Sequence, residues 1–235
     1  RALTRKNIPV HVLQPPQEGA AVAELHQVFV RLNVGGKPLS AADEFFAGAK
    51  RYWPEAEAGI RPLVEILSPM KRQGQITLLA RVAARTLDPR PTDPYPLRLE
   101  VLAKSAIDKT RNPLVDQMQK LATDDGPRSL RVAMQWISDF CFHHMACGIH
   151  GVGDAPWMAG VAWAYAWLRE RPLPAVDDPI YAKPLCRFIF WTSVLQSQTY
   201  GRGGFTRYAF NRCWSAGSQE KPLPVAEAKF ASRCF

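Results

Sequence analysis

Proline and glycine limit what this chain can become more than any other feature. There are 20 prolines and 15 glycines, and the intervals between them are mostly of helical length. Proline lacks a backbone donor and is best tolerated in the first turn of a helix. Pro54, Pro113, Pro127 and Pro156 stand near the starts of apolar-periodic segments, so the sequence predicts helices over 55–67, 75–85, 97–108, 113–122, 128–147, 155–170 and 180–198. A further helix is expected over 206–214. Residues 87–96 carry four prolines and read as an extended connection, because each proline disfavours helix at the residue before it. Residues 173–179 form a second break. No repeat period links the segments.

The front of the chain reads differently. Residues 8–13 alternate enough to be a short strand, with Pro9 confining it to a sheet edge. From residue 20 the period becomes helical, with Val22, Leu25, Phe29 and Leu32 on one stripe. Gly35 and Gly36 allow a tight reversal into the next helix. Ser40 suits its N-cap, and Asp43 follows in the first turn. A strand needs sheet partners for its backbone groups. Its partners are therefore expected upstream of Arg1 or in another chain.

The expected architecture is mainly α: a multi-helix bundle over 51–235, preceded over 1–50 by the last strand and helix of an α+β domain. Hydrophobic residues make up 47% and charged residues 22%, which excludes the disordered class. No apolar run approaches the ~20 residues of a membrane span. The most apolar stretch, 157–168, ends in Arg169, Glu170 and Arg171 and reads as a core helix. The start at Arg1, with no signal-peptide pattern, points to a piece of a longer protein. Cysteines 141, 147, 186, 213 and 234 are odd in number and irregularly spaced, which fits a reducing cytoplasm rather than a disulfide framework. The net charge of +9 favours a polyanion such as DNA as partner, or serves only as a solubilising excess.

Four constellations carry candidate chemistry. Cys141, His144, Cys147 and His150 have zinc-capable side chains, but Phe142 and Met145 fill the gaps and buried helical cysteine is the favoured reading. No metal is expected. Trp157, Val161, Tyr165 and Leu168, with Trp163 and Trp167 alongside, could stack bases, though three- and four-residue spacing favours core packing. Arg202, Arg207 and Arg212, interleaved with Tyr200, Phe205 and Tyr208, form the best basic-aromatic pattern. Glycines 201, 203 and 204 would let backbone approach a phosphate; a solvated turn is the alternative. Arg31, off the apolar stripe, can offer a planar charged fork to a phosphate or pair with a carboxylate, and Asn33 can cap carbonyls or face a ligand. No Ser/His/Asp set, paired carboxylates or nucleophilic Cys/His pair is legible.

Residues 28–40 (V-F-V-R-L-N-V-G-G-K-P-L-S) resemble the F-x-R-x-N-x-x-G-x-x-L-S signature of the GmrSD restriction family's ParB/sulfiredoxin-like region. Residues 154–157, 188–191 and 200–204 resemble that family's helical half. The resemblance implies a bacterial defence protein that couples nucleotide hydrolysis to DNA recognition and cleavage. Residues 1–50 would then be the end of a ParB-like nucleotidase domain and 51–235 the helical domain. Arg31, Asn33, Gly35 and Gly36 would lie beside the nucleotide. The family's D-G-Q-Q-R stretch and an HNH-type motif do not occur in this chain. The expectation is therefore no cofactor on this piece, with the NTP and a divalent metal left to the full-length protein. Partners implied are DNA and the segment or chain completing the sheet, and assembly into an oligomer is compatible. The alternative is a non-catalytic helical subunit that binds DNA or protein.

Overall fold

Every described residue lies in a helix or in a short connection between helices. The computed structural model describes residues 41–66, 72–88, 99–108, 110–145, 154–199 and 204–222. The helices run in the order α1 (Ala41–Ala49), α2 (Ala56–Ile66), α3 (Arg72–Leu87), α4 (Leu99–Ser105) and α5 (Pro113–Thr123). They continue with α6 (Leu130–Met145), α7 (Asp154–Leu168), α8 (Pro179–Thr199) and α9 (Gly204–Ser218). All belong to the second of two compact units, Ser40–Phe235. The mainly α expectation holds among them, with no strand. The expected strand over 8–13, the helix over 20–33 and the Ser40 cap lie outside the described residues.

Helix starts follow capping chemistry. Asn112 has an extended backbone, and its Oδ1 accepts from the N–H groups of Leu114 and Val115, with Pro113 in the first turn. Its Nδ2 donates to the Leu102 carbonyl at 2.7 Å, so one buried amide caps α5 and ties it to α4. Asp178 precedes Pro179 in the same way and accepts from the Ile180 N–H at 3.0 Å. Ser129 stands before α6, its hydroxyl accepting from Val132 at 3.4 Å. The helix expected over 97–108 ends at Ser105. Past Ser105 the Asp108 carboxylate captures Thr110 and the Arg111 N–H instead, an Asx arrangement that competes with helix. Those bonds, led by that from the Thr110 backbone, lower the Asp108 pKa. Prolines do not all sit at helix starts: α2 runs through Pro62 and α8 through Pro184, each without one i→i−4 bond.

The core is organised around α7, which is buried on every side from Trp157 to Leu168. A helix apolar all round has to be surrounded. Helix α9 packs along it most extensively, and α6, α8 and α3 cover the rest. A second focus joins α1, α2, α3, α5 and α6. Phe46, Ile60, Leu79, Met118 and Met134 line a cavity there of about 10 Å³. Gln75 is the polar residue in an otherwise apolar lining. Among the described residues no helix is long and apolar enough to cross a membrane.

Candidate nucleic-acid interface

Helix α9 carries the part of the basic-aromatic pattern that the structure describes. Its inner side is rooted by Phe210, Cys213 and Trp214, all buried. Asn211 accepts the Nε–H of Arg85 from α3 at 3.1 Å and a second hydrogen bond from the same guanidinium. One turn earlier on α3, Arg81 lies over the Phe210 ring, 5.8 Å from its centroid. Two buried arginines of α3 therefore hold the middle of α9 through an amide and an aromatic face.

Arg212 sits on the exposed side of this rooted helix. Burial pushes the neighbouring Cys213 thiol well above its usual pKa, and the Arg212 charge offsets part of that rise. Gly204, expected in a turn, is the first residue of α9, and Arg207 also falls within the helix. On a helix Arg207 and Arg212 are five residues apart, about 140° around the axis. Arg202, Gly201 and Gly203 lie outside the described residues, as do Arg31, Asn33, Gly35 and Gly36.

The far end of α9 is fixed just as firmly. Glu220 takes a positive φ of 58°. The Lys221 N–H donates to the Ala216 carbonyl at 3.0 Å and the Glu220 N–H to Gly217 at 3.4 Å, the two bonds of a Schellman end. The Trp163 indole then donates to the Lys221 carbonyl at 2.9 Å. Glu220 pairs with Arg171, whose guanidinium lies over Trp167 at 4.9 Å. The end of α9 is thus clamped to α7 and to the connection after it.

The aromatic stripe of α7 resolves as core. Trp157, Trp163, Tyr165 and Trp167 are all buried, Trp136 and Tyr181 stand beside Trp163, and no face remains for a base to stack on. Burial raises the Tyr165 pKa, consistent with a core position. Of the cysteine-histidine set, Cys141 is buried, and His144 lies with Nε2 2.7 Å from the Val176 carbonyl. Cys147 and His150 lie outside the described residues. No group of three metal-capable side chains occurs among the described residues.

Sequence reasoning missed the Arg85–Asn211 bond, the Trp163–Lys221 bond and the Asn112 link to α4. Each joins residues through a polar atom on an otherwise apolar or neutral position, and periodicity carries no signal for such pairings. Together the described residues define an all-helical domain built on a buried tryptophan-rich helix. Comparison with protein-family models, with curated proteins and with solved structures finds no match.

Proposed function

We propose that this chain is the helical, non-catalytic part of a GmrSD-type restriction protein and contacts DNA phosphates through Arg202, Arg207 and Arg212. The observation that carries the reading is the motif Phe29-x-Arg31-x-Asn33-x-x-Gly36-x-x-Leu39-Ser40, directly followed by a helix with Asp43 and Glu44 in its first turn. The net charge of +9 supports a polyanionic partner. The exposed placement of Arg212, on a helix rooted by Arg81 and Arg85, supports α9 as a contact element: a rigid support keeps a guanidinium oriented toward a phosphate. In the full-length protein this part would brace the nucleotide-hydrolysing domain, with Arg31, Asn33, Gly35 and Gly36 beside the nucleotide.

Two measurements on the purified chain test the proposal. Labelled duplex DNA should bind at about 50 mM salt, where phosphate contacts are strong. NTP hydrolysis by the same preparation should stay at background, while the full-length protein hydrolyses NTP. Failure to bind DNA at low salt would remove the DNA-contact role. Hydrolysis by this chain alone would overturn its non-catalytic assignment.

A further inference from the structure

The connection between α7 and α8 is held by aromatic side chains rather than by backbone. Trp167 of α7 donates its indole N–H to the Pro172 carbonyl at 2.8 Å, and Trp136 of α6 donates to the Pro174 carbonyl at 3.0 Å. About two turns further along α6, His144 stands with Nε2 2.7 Å from the Val176 carbonyl. A carbonyl only accepts, so that nitrogen carries the hydrogen. Every second carbonyl from 172 to 176 is thus taken by a ring N–H. The three donors belong to one continuous run of rings. Tyr181 meets Trp167 at 5.1 Å between centroids, Trp167 meets Trp163 at 5.4 Å, and Trp163 meets Trp136 at 5.7 Å. Phe140 follows Trp136 at 5.6 Å and His144 follows Phe140 at 4.6 Å. Among the described residues, no backbone–backbone hydrogen bond joins residues 172–177 to a helix. Leu173, Pro174 and Val176 are half-buried, whereas Pro172, Ala175 and Asp177 are exposed.

We propose that this aromatic groove of α6 and α7 is a receptor for an extended proline-rich peptide, closed in this chain by its own residues 172–176 and taken over by a proline-rich segment of a partner protein. The occupant already seated there sets the chemistry of the ligand. Proline suits the seat because it brings no N–H to leave unpaired against the rings, and its preformed extended backbone loses little freedom on docking. Aromatic-lined grooves take proline-rich segments on the same physical grounds. A partner helix could not replace the strand, since its carbonyls are bonded within the helix. A nucleic-acid strand would call for cations along the groove, and the donors here are two indoles and an imidazole. The strand can leave without unpacking a helix, because ring-to-carbonyl bonds and the half-buried Leu173 and Val176 are what hold it.

The test uses the whole chain and a fluorescent peptide of residues 170–178, with a control peptide carrying glycine at both proline positions. A groove closed in cis shows a ligand in trans only the fraction of molecules whose strand is off, so loosening the strand must tighten peptide binding. By fluorescence anisotropy, L173G/V176G should bind the peptide at least tenfold more tightly than the parent, with helical circular dichroism unchanged. In that background W136F, which keeps a ring but removes an N–H donor, should weaken binding several-fold, and the glycine peptide should bind several-fold less tightly than the proline one. Should the double variant lose helical signal, L173G and V176G taken singly stand in for it under the same criterion. The proposal fails if the loosened variant binds the peptide within twofold of the parent, which would make the strand a connection and nothing more. It fails equally if W136F leaves binding unchanged or if the glycine peptide binds as well as the proline one. These outcomes are independent of the α9 arginines, so they leave the DNA-contact reading standing or falling separately.

Discussion

Gly217 lies so close to α7 that a β-carbon on it would stand 2.3 Å from the Trp163 carbonyl oxygen. Two effects then compete in Gly217→Ala. Alanine is favoured over glycine inside a helix by about 1 kcal/mol. Overpacking against a neighbour costs about 1–3 kcal/mol, and backbone yields less than a side chain. The clash should win. Thermal unfolding should show Tm lowered by roughly 2–6 °C for a chain of this size. A raised Tm would mean α9 and α7 are not in close contact.

Gly59 supplies the comparison. Its added β-carbon would meet Cζ2 of Trp53 at 2.2 Å, but an indole at the end of a rotatable side chain can move away. Gly59→Ala should therefore lower Tm less than Gly217→Ala. The reverse order in the same melting experiment would contradict the assigned contacts.

Asn112 is buried and uses both ends of its amide. Asn112→Ala removes a cap worth about 1 kcal/mol and leaves the Leu102 carbonyl buried without its donor, at about 1–3 kcal/mol. Urea unfolding should show destabilisation by roughly 2–4 kcal/mol from these two effects. Asp178→Ala, at a cap open to solvent, should cost only about 1 kcal/mol. Equal destabilisation by the two substitutions would show that the Asn112–Leu102 link carries nothing.

That link also marks how far the sequence could be read. Pro113 announces a helix start by local chemistry, and α5 begins there. The uninterrupted apolar character of 157–168 places α7 in the core without further information. What was illegible depends on contacts distant in sequence. The glycines at 201–204 read locally as a turn, yet Gly204 opens α9. The pairing of Asn211 with Arg85 spans 126 residues. For the candidate site, only Arg212 and the backbone of Arg207 fall among the described residues.

Cysteine reactivity should follow burial. Burial raises the pKa of the half-buried Cys186 thiol and raises that of the fully buried Cys213 further. A thiol whose pKa is raised on folding stabilises the fold below its unfolded value, and that contribution is lost as pH rises toward the folded value. Between neutral pH and about 8.5, where unfolded thiols begin to ionise, Cys186 should react with a maleimide probe well before Cys213. Peptide mass mapping after timed labelling reads this directly. Early labelling of Cys213 would show that the inner side of α9 opens to solvent.

The salt dependence of duplex DNA binding by the whole chain tests the central claim most directly. If Arg202, Arg207 and Arg212 each touch a phosphate, each should supply about 0.9 of the log–log slope of affinity against salt. Arg202→Ala, Arg207→Ala and Arg212→Ala should each make the slope shallower by that amount. Each should weaken binding to all sequences alike and leave Tm within about 2 °C, since an arginine open to a phosphate contributes under about 0.5 kcal/mol to stability. A parent slope that all three substitutions leave unchanged would contradict the claim, as would unfolding of the variants in place of a shallower slope.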